Sequence, residues 1–296
     1  MKKNKSVTWQ RVPAASLDLT GWKVAVFGGT GGLGRAVAKS LASHRASVTV
    51  TGQTFRDEGV ASIDFVRADL SLMREAERVA RALPAEQLDL VLFTTGIFAA
   101  PKRQVTPEGL ERDMAVSYLS RLVIVREIAP RLGKARPGGR AKLRPRVFVM
   151  GYPGAGQAGT LGDLNADRSY RAMTVHMNTV AGNEVLVLDA AKQYPHATFF
   201  GLNPGLIRTD IRNNFLGQGS FKSRIVETMI GVFTPTPEAY AECITPLLVS
   251  PDLEPHSGAM FDQKGDAIAP TPSFAERANV SRFLAESEAL VARVTG

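Results

Sequence analysis

The sequence predicts an α/β protein: a doubly wound parallel sheet of about seven strands with helices on both faces. Short, continuously apolar runs of strand length alternate with single stretches of helical spacing. The runs stop at glycine or small polar residues, as strands buried on both faces do when they end at a ligand crevice. No internal repeat and no Pro/Ser-rich linker breaks the alternation. Residues 21–296 are therefore expected to form one domain behind an N-terminal extension, residues 1–20.

Lys23 to Phe27 reads as the first strand, and Leu33, Val37 and Leu41 fall at i, i+4, i+8 of the first helix. Ser47 to Thr51 is β-branched and ends at Gly52. Phe65 and Val66 precede Asp69-Leu70 and a charged helix from Leu72 to Leu83. Leu88 to Phe93 stops at Thr94-Thr95-Gly96, and a helix from Pro107 to Leu132 follows. Arg146 to Met150 stops at Gly151, before a helix from Val175 to Gln193. Ala197 to Leu202 ends at Asn203-Pro204-Gly205. A helix near Pro237 to Val249, a short strand at Ala259 to Phe261 and a last helix from Ser273 to Val294 complete the pattern.

Composition narrows the function classes. With 44% hydrophobic and 22% charged residues the chain can bury a large core. Cys243 is the only cysteine and the four histidines are scattered, which argues against a disulfide framework or a His/Cys metal site. No apolar run is long enough to span a membrane, and no apolar stretch follows the basic N-terminus; a cytoplasmic protein is expected. The net charge of +8 is partly local, with seven basic residues and no acid between Arg131 and Arg146. That segment reads as a solvated loop. No aromatics interleave with its charges, so nucleic acid is a weak candidate partner.

The most informative segment follows the first strand. Gly28, Gly32 and Gly34 make a GxxxGxG turn, opening a helix through Thr30, Gly31 and Leu33. Glycines remove Cβ atoms, so backbone N–H groups at a helix N-terminus can approach a pyrophosphate. This is a Rossmann-type arrangement. The residues after the other strands, including Gln53, Asp69, Leu70, Thr95 and Gly96, should line the same crevice. The second strand ends in Gly52 and Gln53 rather than an acid, with Arg35 and Arg56 in range, so NADP is favoured over NAD.

These features together resemble the short-chain dehydrogenase/reductase superfamily from Trp22 to Asp262. The carriers are the glycine turn, Asp69-Leu70, Thr94-Thr95-Gly96 in place of Asn-Asn-Ala-Gly, and Pro204-Gly205-Leu206-Ile207-Arg208-Thr209 matching Pro-Gly-x-x-x-Thr. The resemblance implies that Asp69 holds an adenine edge. It implies that Pro204, Ile207 and Thr209 hold a nicotinamide amide. The superfamily's Asn-Ser-Tyr-Lys tetrad is absent: the corresponding positions are Ser117, Gly151, His176 and Val180.

Three readings stay open. In the first, an oxidoreductase uses a substituted proton donor: His176, with Tyr170 and Tyr152 as alternatives and Ser117 beside it. An imidazole exchanges protons near neutrality without a lysine helper. The second is a non-redox enzyme of the same fold, a cyclase, isomerase or lyase. The third is a catalytically inactive nucleotide-binding module. The resemblance places the apolar residues between Ile225 and Phe233 over the substrate, which, with Val180 and Gly151, implies a small hydrophobic substrate; the same stripe equally fits ordinary core packing. The resemblance also implies a homo-oligomer, paired through the helices from Pro107 and Val175.

Overall fold

The computed structural model describes residues 1–136, 143–205 and 235–295. Among them are β1 (Lys23–Phe27), β2 (Ser47–Gly52), β3 (Ile63–Arg67), β4 (Leu90–Phe93), β5 (Arg146–Met150), β6 (Thr198–Leu202), β7 (Met260–Phe261) and β8 (Ala267–Ile268). They form one sheet in the order β3-β2-β1-β4-β5-β6-β7-β8. Every neighbouring pair from β3 to β7 is parallel, and β8 is antiparallel to β7. The strand order reverses between β1 and β4, which places a crevice beyond their carboxyl ends.

The helices are α1 (Gly32–Ser43), α2 (Met73–Ala82), α3 (Arg112–Met114), α4 (Ser120–Ile128), α5 (Ala172–Gln193), α6 (Pro237–Val249) and α7 (Arg277–Thr295). Because strand side chains alternate, both faces of the sheet carry apolar residues. Val24, Val26, Leu90 and Leu92 pack on the side of α1 and α6. Phe27, Val91, Phe93 and Val149 pack on the side of α2, α4, α5 and α7. Stacked rings reinforce each layer, Phe148 on Phe200 (4.8 Å) in the first and Phe27 on Phe93 (4.9 Å) in the second.

The sheet has one strand more than expected, because β8 is two residues long and carries no periodicity to read. The N-terminal extension pairs with it: Asn4 N donates to Ala267 O and Ala269 N donates to Lys2 O, both at 2.8 Å. The helix expected from Pro107 starts instead at Arg112, where Glu111 caps it by accepting from Met114 N (2.8 Å).

Where it is described, the basic segment is a solvated loop only in part: Lys134 is exposed, but four arginines are paired. Arg136 and Arg146 are 6% and 1% exposed, and they pair with Asp89 and Glu254 respectively. Arg131 pairs with Glu86 and Arg144 with Glu254. Their partners come from distant stretches of chain, so no local charge count could reveal them. Arg140 and Lys142 lie outside the described residues.

Helix α7 lies against α5 and α2. Phe283 meets the Tyr118 ring edge-on (5.8 Å), and Tyr118 Oη hydrogen-bonds Ser287 Oγ (3.0 Å). Glu288 pairs with Arg126 (2.8 Å), and Glu286 accepts from Gly162 N and Leu164 N.

Candidate active site

A cleft of about 770 Å³ opens at the carboxyl ends of the strands, between the β1–α1 turn and the start of α5. The turn is shaped by its glycines. Gly28 has φ +89°, and a Cβ there would come 2.6 Å from Thr95 N. A Cβ on Gly34 would collide with Gly28 O and the Thr94 side chain. Gly31, in contrast, has nothing within 4 Å of its Cβ position and faces open cleft. As the N-cap of α1 it offers no side-chain cap, so the first N–H groups of the helix are left for a ligand.

At the far end of the cleft sits Asp69. Burial pushes its carboxyl up, but hydrogen bonds from Ser71 and Gln53 outweigh this and hold it below the ordinary value. Arg35, in contrast, is clamped by Asp57 through Nε (2.9 Å) and a terminal nitrogen (2.7 Å) and is not offered to the cleft. Exposed Arg56 does line it.

The floor is built from the helix that follows β4. Between α3 and α4 the chain makes a π-helical turn, Ala115–Leu119, a distortion frequent at functional sites. Fully buried Asp113 precedes it. Its Oδ1 accepts from Ser117 Oγ (2.5 Å), and its Oδ2 lies 2.8 Å from His176 Nδ1 on α5. Ser117 Oγ also accepts from Ile97 N (3.0 Å). Phe98 covers the other side of the imidazole, with ring centroids 4.3 Å apart. The ring is thus held by a carboxylate and an aromatic face, and His176 lines the cleft.

Arg121, on α4, is buried beneath this pair. It donates to Thr95 O, Met150 O and Asn183 Oδ1, tying the ends of β4 and β5 to α5. Burial lowers its pKa to about 9, opposed by Asp113. Asn183 in turn donates to Ser117 O (2.9 Å), within the widened turn. Two buried groups of the floor, Thr95 Oγ1 and Arg121 Nε, have no hydrogen-bond partner.

Comparison with known proteins agrees with this geometry. No family model matches the chain. An uncharacterised oxidoreductase of Saccharomyces cerevisiae is 49% identical over 294 residues, covering 98% of this chain and 94% of the relative. A short-chain dehydrogenase/reductase of Armillaria gallica is 24% identical over 212 residues, 67% of this chain and 69% of that protein. Among solved structures, a short-chain dehydrogenase/reductase from Serratia marcescens superposes with a TM-score of 0.61 at 20% identity, over 85% of this chain and 99% of that one. The chain belongs to the short-chain dehydrogenase/reductase superfamily.

Against the superfamily pattern, the residues expected to bind cofactor come together. Gly28, Thr30, Gly31, Gly32, Leu33 and Gly34 line the cleft, as do Gln53, Asp69, Leu70, Thr95, Gly96 and Pro204. Ile207 and Thr209 lie outside the described residues, as does the apolar segment from Ile225 to Phe233. Of the candidate proton donors, His176, Ser117 and Tyr152 line the cleft. Tyr170 does not: its hydroxyl donates to Ala100 O, and burial raises its pKa. Val180 lines the cleft at the tetrad's lysine position, and a Cβ on Gly151 would come 3.2 Å from Asn183 Cβ.

Sequence reasoning missed Asp113, Arg121 and Asn183. A signal was present. Asp113, Ser117 and Arg121 are polar residues at i, i+4, i+8 along one stretch of helix, and His176 and Asn183 stand two turns apart on the facing one. Among the described residues, no group of His, Cys, Asp and Glu could hold a metal, and no helix is long and apolar enough to cross a membrane.

Proposed function

We propose that this protein is an NADP(H)-dependent oxidoreductase of small apolar carbonyls or alcohols, in which His176 moves the substrate proton. The observation that carries this reading is the 2.8 Å contact between His176 Nδ1 and Asp113 Oδ2. A buried carboxylate on one imidazole nitrogen fixes the tautomer and orientation, so that the other nitrogen serves as acid or base. The relatives named as oxidoreductases support the redox part.

The residues present fit the cofactor. The open space at Gly31 and the uncapped start of α1 suit a diphosphate, and Asp69 and Leu70 suit an adenine. Buried, unpartnered Thr95 Oγ1 stands beside Gly96, where a ribose hydroxyl could satisfy it. Arg56 is the cation available to a 2′-phosphate. A nicotinamide cofactor held there would supply, or take up, hydride at the substrate carbon. The chain's own part is to seat the substrate oxygen near His176 and Ser117, and to surround the remainder with apolar Val116, Met177 and Val180. His176 Nε2 gives a proton to a forming alkoxide, or takes one from an alcohol.

Replacing His176 by Phe should lower kcat by about 10²–10⁴-fold while NADPH binding is retained. Unchanged turnover would remove His176 from the mechanism. A second reading, a non-redox enzyme of the same fold, draws on Val180: no cation stands where the superfamily's relay has lysine. A product of unchanged oxidation state would identify it.

A further inference from the structure

Arg121 lines the cleft and yet is only 3% exposed. Its described hydrogen-bond partners are all uncharged: the carbonyls of Thr95 and Met150 and the side-chain oxygen of Asn183 (2.9 Å). Tying three oxygens together needs donors, not a charge, and a guanidinium taken out of water with no carboxylate in contact is costly. The opposite charge that acts on it is Asp113, whose two oxygens are engaged elsewhere, by Ser117 Oγ and His176 Nδ1. The guanidinium also reaches the cleft wall. A Cβ on Gly96 would lie 3.7 Å from both Arg121 Nη2 and Ser117 Oγ, so cation and hydroxyl converge on one spot.

We infer that Arg121 is a positioning residue that acts through its charge: it balances the Asp113 carboxylate and so leaves the His176 imidazole free to release its proton. This deepens the reading of His176 as the proton carrier and rests on it.

The sign follows from the arrangement of charges. A buried carboxylate alone favours the imidazolium, which then keeps its proton. A guanidinium in the same floor favours the neutral ring. The two fixed charges sum to zero, so the ring gives up a proton without leaving a bare carboxylate in the floor. Burial lowers the pKa of Arg121 to about 9, which still leaves it charged at neutral pH. The other ionisable groups around the floor are held by other partners. Arg112 donates to Gln104 Oε1 (2.8 Å), Tyr170 Oη donates to Ala100 O, and Glu111 accepts from Met114 N. Glu184, on the same helix as His176, accepts from Gly154 N and Thr271 Oγ1. Tyr152 lines the cleft, and Val180 brings no charge to it.

The test reads the ring directly. The full chain, with isotopically labelled histidine and no ligand, is titrated by NMR, and the His176 resonance is assigned with His176→Gln. Reading the ring separates it from Glu111, whose carboxyl burial pushes up to about 7. In Arg121→Gln the midpoint of the ring should rise by about one pH unit. In Arg121→Lys, which keeps the charge and loses the planar fork, it should stay within about 0.3 of the wild type. An unmoved midpoint in Arg121→Gln, or equal shifts in both variants, overturns the inference and leaves Arg121 a tether only. If Arg121→Gln does not fold, Asp113→Asn/Arg121→Gln is compared with Asp113→Asn, since losing both buried charges is the milder change. The same upward shift is expected there, and its absence overturns the inference equally. The pH midpoint of kcat/KM for oxidation of 1-phenylethanol with NADP should move with the ring. A shifted resonance with no alcohol oxidised would uphold the role of Arg121 and refute the redox reading. An unshifted resonance would refute the role of Arg121 whether or not the alcohol is oxidised.

Discussion

Asp113 Oδ2 lies 2.8 Å from His176 Nδ1, joining a carboxylate on α3 to an imidazole on α5. The same carboxylate accepts from Ser117 Oγ, so one fully buried acid holds both polar groups that line this part of the cleft. Asp113→Asn keeps the shape and removes the charge that fixes the tautomer. We expect kcat to fall by about 10²–10⁴-fold, with NADPH affinity within about twofold of the wild type. Steady-state kinetics with fluorescence titration of NADPH decides it. Equal loss of both would mean that the site has collapsed.

Glu111 predicts a pH dependence of stability. Burial raises its carboxyl to about 7, opposed by the hydrogen bond from Met114 N and assisted by Asp113. A carboxyl whose folded pKa exceeds its unfolded one binds more protons in the folded state. Stability therefore falls as pH rises from about 4.5 to about 7 and is flat above, by at most about 3 kcal/mol in total. Glu111→Gln retains an acceptor for Met114 N and should flatten the slope. Urea unfolding at intervals between those pH values measures it, and identical slopes in both proteins would refute the assignment.

The glycines of the β1–α1 turn divide by what surrounds them. A Cβ on Gly31 projects into open cleft, so Gly31→Ala should leave the melting temperature nearly unchanged while weakening NADPH binding. Gly34→Ala sets a methyl against Gly28 O and Thr94 and should destabilise the fold by about 1–3 kcal/mol. Calorimetry separates the two. Equal melting temperatures would show that the turn is more yielding than its geometry implies.

Helix α7 bears on assembly. Pairing through the helices near Pro107 and Val175 needs their outer faces free, but α7 contributes Phe283, Ser287 and Glu288 to contacts with Tyr118 and Arg126 there. We expect light scattering to give the mass of one chain, 31.8 kDa. A stable dimer at micromolar concentration would mean that a different face is used, or that α7 is displaced.

The glycine turn and the strand-end residues were legible in the sequence because each depends on a local backbone conformation at a topologically fixed place. The floor of the site was not. Asp113 and Arg121 acquire their roles only when α3 and α4 pack against α5, and the polar spacing that marks them looks like an ordinary helix face. The same limit applied to Arg136 and Arg146, whose acidic partners stand 47 and 108 residues away.

The π-helical turn acts as a phase shifter. It holds Asp113 under His176 while letting Arg121, further along the same rod, reach the carbonyls of Thr95 and Met150. Deleting one residue within it would restore regular winding and leave Arg121 still facing its carbonyls, because the turn already takes up the extra residue. The change would fall on the turn itself, where Ser117 O accepts from Asn183 and Ser117 Oγ meets Asp113. Such a shortened chain would have a better helix and an altered floor.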